Sequence, residues 1–470
     1  MKKSILSVLL MVFLAALMVG CEPGNVTPTD YDKTIIFYSS QGDKLQGLTA
    51  LAIESFEAKY PGWKVIHTPQ GGYDDVRDKI VADLQGGLQP DLAYCYADHV
   101  ALYLQTGKVV DMAKLINSEA TVLDKDEKEV RVGYTAEEIA DFVPGYYAEG
   151  KATNFANYEE YGYTADSMFT LPFVKSTELL YVNETALIKA GFKNEDGTAK
   201  VATTWDELWA QGATLVKKYS TATVLGYDSE ANWFITMCEQ NGWGYTSTSA
   251  DNHYLFNNDH TKAWLEELAG YYKKGYIVTQ MDYGAYTSNL FTKGADDGGV
   301  IYCIGSSGGA SYQATDAFQW GVYAIPGSKQ ADGTVNRSVI SQGPNLVMLE
   351  CGRCSSDEAK ELKKQMTFLF MKELLDPEFQ AQFSIDSGYN PSTQSTYQVD
   401  AYVDHLKGKT ITAKACVVAK TLTNDFFTSP AFVGSSGART QVGNALNFAV
   451  TGQKTAEKAL ADAYSNCGGK

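Results

Sequence analysis

The sequence predicts an α/β protein with parallel-rich sheets flanked by helices, long enough for two domains. Strand-like and helix-like hydrophobic patterns alternate from about residue 34 onward. At 470 residues the chain is too long for one ordinary domain and comfortable for two. Hydrophobic residues make up 44% of it, enough to fill two cores.

Thr34 to Tyr38 is a short apolar strand, and Leu45 to Tyr60 spaces its apolar residues as an amphipathic helix closed by Pro61-Gly62. Lys64 to His67 gives a second strand and Tyr73 to Gln85 a second helix; Pro90-Asp91 opens a third strand, Leu92 to Tyr94. This βαβαβ run implies a parallel sheet covered on both faces. Ligands of such sheets bind outside the carboxyl ends of the strands. The loops there hold Ser39-Ser40-Gln41, Gln70-Gly71-Gly72 and Tyr96-Ala97-Asp98-His99, which are small, polar and suited to hydrogen bonding. Residues 119 to 168 read as an irregular, helix-containing excursion. Glu178 to Val182 is a strand, followed by helices at Trp205 to Tyr219, Asn232 to Asn241 and Thr261 to Lys274. Gly299 to Ile304, Gln319 to Ala324 and Gly343 to Leu349 are strands again. Ser356 to Leu374 and Pro377 to Ser384 are helices, and the tail from Thr440 to Tyr464 is largely helical.

The first twenty residues read as a signal peptide. Lys2 and Lys3 precede an apolar run, Ile5 to Val19, too short for a bilayer span. Its end, Met18-Val19-Gly20-Cys21, resembles the lipobox of bacterial lipoproteins, which implies a lipid on Cys21 and an anchor and linker over residues 21–33. The expected location is extracytoplasmic, on the cell membrane. Without Lys2 and Lys3 the chain has 37 basic against 56 acidic residues, a net charge of −19. Such a balance repels nucleic acid. Seven further cysteines, an odd number scattered over 450 residues, are no disulfide scaffold. Cys351-Gly-Arg-Cys354 has redox or zinc spacing, but no second pair completes a metal site. A loop disulfide or free thiols are expected there.

Several segments together resemble the family 1 extracellular solute-binding proteins, the group that includes the maltose-binding protein. They are Phe56 to Val65 with its Tyr60-Pro61-Gly62 turn, Gly87-Leu88-Gln89-Pro90-Asp91, Leu171-Pro172-Phe173 with Leu180-Tyr181-Val182-Asn183, Thr204-Trp205-Asp206-Glu207-Leu208, Gly321 to Gly327, and Gly388-Tyr389-Asn390-Pro391. The resemblance implies the two-lobed periplasmic-binding-protein fold. One lobe would take residues 34–173 and 344–391, the other 177–338 and 395–470. Three hinge crossovers would fall near Phe173 to Ser176, Ser338 to Gly343 and Tyr389 to Pro391. It further implies a carbohydrate enclosed between the lobes by hinge closure, ABC permease subunits as membrane partners, a monomer, and no cofactor.

A sugar needs polar forks and aromatic platforms. The candidate ligand residues are Ser39, Ser40, Gln41, Gln70, Gly71, Tyr96, Asp98 and His99 in the first lobe, with Ser176, Glu178 and Tyr389 at the hinge. Glu230, Asn232, Trp233, Ser306, Ser307, Ser436 and Arg439 come from the second. Ser307 stands where many family members carry a tryptophan. Two alternatives compete. Gly305-Ser306-Ser307-Gly308-Gly309 fits the G-x-S-x-G turn of a hydrolase with Ser307 as nucleophile, but only His405 follows it as a base. A polyamine would suit Asp98, Glu178 and Glu230 beside Trp233. The expectation is a binder, not an enzyme.

Overall fold

The computed structural model describes residues 30–249 and 252–469. The signal peptide and Cys21 lie outside the described residues. Strand β1 (Thr34–Ser39) leads into helix α1 (Asp43–Lys59), β2 (Lys64–Pro69), α2 (Tyr73–Gly86), β3 (Leu92–Cys95) and α3 (Ala97–Leu104). After the excursion come β4 (Thr170–Pro172) and β5 (Glu178–Asn183). Next are α4 (Trp205–Lys218), β6 (Thr223–Tyr227), α5 (Glu230–Asn241), α6 (Asp259–Lys273) and β7 (Ile277–Thr279). Then follow β8 (Val300–Ser306), β9 (Trp320–Ala324), β10 (Asn345–Met348), α7 (Asp357–Leu374), α8 (Pro377–Ser387), α9 (Ile411–Thr421), α10 (Ser435–Val450) and α11 (Ala456–Asn466).

The strands form two five-stranded sheets, ordered β2-β1-β3-β10-β4 and β7-β6-β8-β5-β9. β1 runs parallel to β2 and β3, and β6 parallel to β7 and β8. β10 enters the first sheet antiparallel, and β5 the second, because each arrives from the other half of the chain. Alternation along the strands buries both faces of the first sheet. Ile35, Phe37, Leu92 and Tyr94 face one apolar cluster, whereas Ile36, Tyr38, Ala93 and Cys95 face another. The second sheet packs in one large core with α4, α5, α6, α10 and α11.

Local chemistry sets the helix ends. Thr204 caps α4 by accepting from Glu207 N, and Ser229 caps α5 through Asn232 N. α2 stops at Gly87, whose φ of +67° is the left-handed conformation that glycine adopts without strain. Helix α9 is among those not expected from the sequence. Cys351 and Cys354 form a disulfide with a Cα–Cα distance of 5.9 Å.

Three segments pass between the sheets, and they lie side by side. Val174–Lys175, between β4 and β5, pairs antiparallel with Asn390–Pro391. Ser176 bridges Gln342, on the path from β9 to β10. Thr177 Oγ1 also donates to the Ile340 carbonyl at 2.9 Å. The crossovers are thus knitted into one narrow hydrogen-bonded strip.

Candidate functional site

A cavity of about 730 Å³ opens at the carboxyl ends of the two sheets, where an α/β fold exposes its loops. From the first sheet's side it is lined by Ser40 and Gln41 after β1, and by Tyr94 and Tyr96 of and after β3. Tyr73, the first residue of α2, stacks on Tyr96 at 4.4 Å and meets the Tyr389 hydroxyl at 3.4 Å. Gln41 is fixed before any ligand arrives: Thr49 Oγ1 donates to its carbonyl oxygen at 2.7 Å, and its amide donates to the Tyr94 hydroxyl. Burial raises the pKa of Tyr73, Tyr94 and Tyr96, so these phenols stay neutral donors and acceptors.

The opposite wall is built from carboxylates and amides. Glu178, at the start of β5, accepts from Tyr227 Oη at 2.6 Å and from Asn232 Nδ2 at 2.9 Å. Arg439 in turn donates to the carbonyl oxygen of Asn232, fixing which way that amide points. Burial pushes the Glu178 carboxyl up to about 7, against the opposing pull of its two hydrogen bonds. Asp228, just after β6, accepts from Thr287 N at 2.6 Å and Oγ1 at 2.7 Å, and burial raises it to about 6. Two glycines of the 305–309 turn are explained here. A Cβ on Gly305 would stand 2.7 Å from Asp228 Oδ2, and one on Gly308 would lie 2.5 Å from the Tyr389 ring.

Among the described residues, no Lys, Arg or His lines this cavity. A smaller cavity of about 90 Å³ shares Tyr96 and Gln342 with it and carries the charges instead: Asp98, Glu149, Lys175 and Arg439. Lys175, buried on the crossover, pairs with Glu149 Oε2 at 2.5 Å.

Of the residues expected from sequence, Ser40, Gln41, Tyr96, Ser176, Glu178, Asn232, Ser306 and Tyr389 meet at the large cavity. Asp98 and Arg439 line the smaller one. The others lie elsewhere. Ser39 points into the sheet, its hydroxyl 2.7 Å from His67 Nε2. Gln70 and Gly71 lie outside both cavities, and Gln70 N donates to the Ser39 carbonyl. His99 is 2% exposed, with burial lowering its pKa. Glu230 is buried and accepts from Met281 N at 2.7 Å. Trp233 is a core residue, fully buried and stacked on Tyr227 at 4.6 Å. Ser307 is also fully buried, its Oγ accepting from Thr177 N, so that hydroxyl is not presented to the cavity as a ligand contact or a nucleophile. Ser436 accepts from Arg77 at 2.7 Å and so ties α10 to α2 across the cleft.

The sequence reading missed Tyr73, Tyr94, Asp228, Ser229, Tyr286, Tyr312 and Asp386. A signal existed for Asp228 and Ser229: they follow Thr223–Tyr227, a strand the sequence reading passed over, in the strand-end position where ligand contacts collect.

Two α/β sheets joined by a strip of crossovers, with a polar and aromatic cavity between their strand ends, define a two-lobed solute-binding fold. The chain belongs to the family described as bacterial extracellular solute-binding protein, whose model matches residues 52–409. It is 22% identical over 372 residues to the sn-glycerol-3-phosphate-binding periplasmic protein UgpB of Yersinia pestis bv. Antiqua, covering 77% of this chain and 74% of that one. Among solved structures, the GacH receptor of Streptomyces glaucescens, studied unliganded and with acarbose, superposes with a TM-score of 0.69 at 16% identity. That match covers 92% of this chain and 98% of the other. UgpB from Mycobacterium tuberculosis in complex with glycerophosphocholine gives 0.68 at 18% identity, over 93% and 97%. Membership of that family makes the protein a solute-binding protein that works outside the cytoplasm.

Proposed function

We propose that the large cavity captures a carbohydrate, held between the two lobes by hinge closure and passed to the ABC permease. The observation that carries this reading is the cavity lining: tyrosine rings on one side, preorganised carboxylates and amides with the exposed Tyr286 and Tyr312 on the other, and no basic side chain among the described residues. Rings suit the C–H face of a sugar; carboxylates and amides suit its hydroxyls. A free phosphate would call for basic groups or helix N-terminal amides. We also propose that Cys21 carries a lipid that tethers the protein to the membrane, motivated by Val19-Gly20-Cys21 after the apolar run. The burial of Ser307, the hydrolase candidate, supports binding without catalysis.

One observation favours a second reading. Arg439 and Lys175 line the small cavity beside Tyr96. A phosphorylated polyol would then replace the sugar; the carboxylates Glu178 and Asp228 are what a polyamine would need instead. A thermal-shift screen of purified mature protein against mono- and oligosaccharides, sn-glycerol 3-phosphate and spermidine tests this, because a ligand of the native state raises the midpoint. A saccharide should give the largest rise. A rise with glycerol phosphate or spermidine and none with any saccharide would overturn the carbohydrate reading. For the anchor, Cys21→Ser expressed in a bacterial host should leave the membrane fraction; retention there would refute it.

A further inference from the structure

Five of the chain's seven tryptophans gather around a cavity that shares no lining residue with the cleft. Trp205 and Trp209 come from α4, Trp233 from α5, Trp243 from the turn after it and Trp264 from α6. Together they wall a space of about 170 Å³. That is under a quarter of the cleft cavity, room for one ring rather than a chain.

Part of this cluster is ordinary core. Trp205 and Trp233 stack at 5.9 Å, and Trp209 stacks on Tyr271 at 4.5 Å. The outer part is less enclosed. Trp209 and Trp243 remain partly exposed, and the rim carries Asp206, Glu267 and Lys329. Asn241 also lines the space. Its amide nitrogen donates to Met237 O and Ser328 Oγ, which leaves its carbonyl oxygen to accept. Trp233 is fully buried, yet its indole N–H has no hydrogen-bond partner among the described residues, whereas Trp205 donates to Gln240 at 2.9 Å.

We propose that this tryptophan-lined cavity is a second carbohydrate site, sized for a single sugar ring or small polyol. Indole faces cover the apolar side of such a ring, and the carboxylates and amide at the edge take its hydroxyls. The site stands whichever solute the cleft holds. The two are nevertheless joined, since Trp233 stacks on Tyr227, whose hydroxyl donates to Glu178 in the cleft. The test must therefore resolve where a ligand sits.

The mature chain, labelled with 5-fluorotryptophan and assigned through single Trp→Phe variants, is titrated by ¹⁹F NMR. The probes are methyl α-D-glucopyranoside, methyl α-D-galactopyranoside and tetramethylammonium. At least one glycoside should move the Trp209 and Trp243 resonances saturably while Trp63, in the first sheet's core, stays still. Glu267→Gln, a change on an exposed rim residue that leaves the indoles in place, should weaken that binding roughly tenfold. No saturable shift with either glycoside would overturn the proposal, as would an affinity untouched by Glu267→Gln. Shifts from tetramethylammonium alone would overturn it too, marking an aromatic cage for organic cations instead.

Discussion

Facing each other across the cleft are a wall of rings, with Tyr73, Tyr94, Tyr96 and Tyr389, and a wall led by hydrogen-bonding groups, Glu178, Asp228 and Asn232, with Tyr286 and Tyr312 at its exposed edge. The ring wall is held by stacking and by Tyr–Tyr and Gln–Tyr contacts, all between neutral groups. The opposite wall is held by a chain from Arg439 through Asn232 to Glu178 and Tyr227. The difference separates two tasks. Rings contribute area with few directional demands, while the network orients donors and acceptors in advance and so lowers the ordering cost of binding. It also carries an electrostatic cost, because burial disfavours the ionised forms of the buried Glu178 and the half-buried Asp228.

The largest effect expected tests whether Trp233 belongs to the core behind the second wall. Trp233→Ala should lower unfolding free energy in denaturant by about 3–5 kcal/mol, the usual cost of deleting a buried indole. A loss below about 1 kcal/mol would return Trp233 to the cleft surface.

The next effect is electrostatic. The folded-state Glu178 carboxyl sits at about 7 against 4.5 in the unfolded chain, so the native state binds the extra proton. Stability should fall as pH rises from about 4.5 through 7, by up to about 3 kcal/mol from this group alone. Asp228, at about 6 against 3.8, adds a fall of the same sign at slightly lower pH. Glu178→Gln should flatten the profile between pH 5 and 7.5 in urea titrations of the ligand-free protein. A mutant profile parallel to the wild type would show that Glu178 keeps its ordinary acidity.

Smaller changes sharpen the role of the ring wall. Tyr389→Ala should weaken the bound saccharide by about 1–3 kcal/mol in calorimetry, borrowing the magnitude of base stacking on aromatics. Smallest of all, Arg77→Ala removes the contact with Ser436 across the cleft. It should change solute affinity by less than about 1 kcal/mol, mostly through faster release, as a partly exposed polar contact would. A tenfold loss would make Arg77 a principal part of closure.

The elements were legible where periodicity and punctuation agree, as in Leu45 to Tyr60 before Pro61-Gly62, observed as Asp43–Lys59. So were the cavity loops after β1 and β3, because strand ends in parallel sheets gather ligands. Direction within a loop was not legible: Ser39 and Ser40 are adjacent, yet the pleat turns the first toward His67 and leaves the second at the cavity. Trp233 misled because α5 is buried around most of its circumference, so no apolar stripe marks a cleft side. Tyr286, Tyr312 and Asp386 reach the cavity from separate stretches of chain, and only tertiary packing brings them there.

The central claim, one neutral solute held between a ring wall and a carboxylate wall, is tested most directly by isothermal titration calorimetry. Purified mature protein and Tyr389→Ala would each be titrated with the best saccharide from the screen, with sn-glycerol 3-phosphate and with spermidine. The account predicts one-site saccharide binding, weakened in the variant, and no heat of binding from either charged solute. Saturable binding of glycerol phosphate or spermidine, with no response to any saccharide, would contradict it.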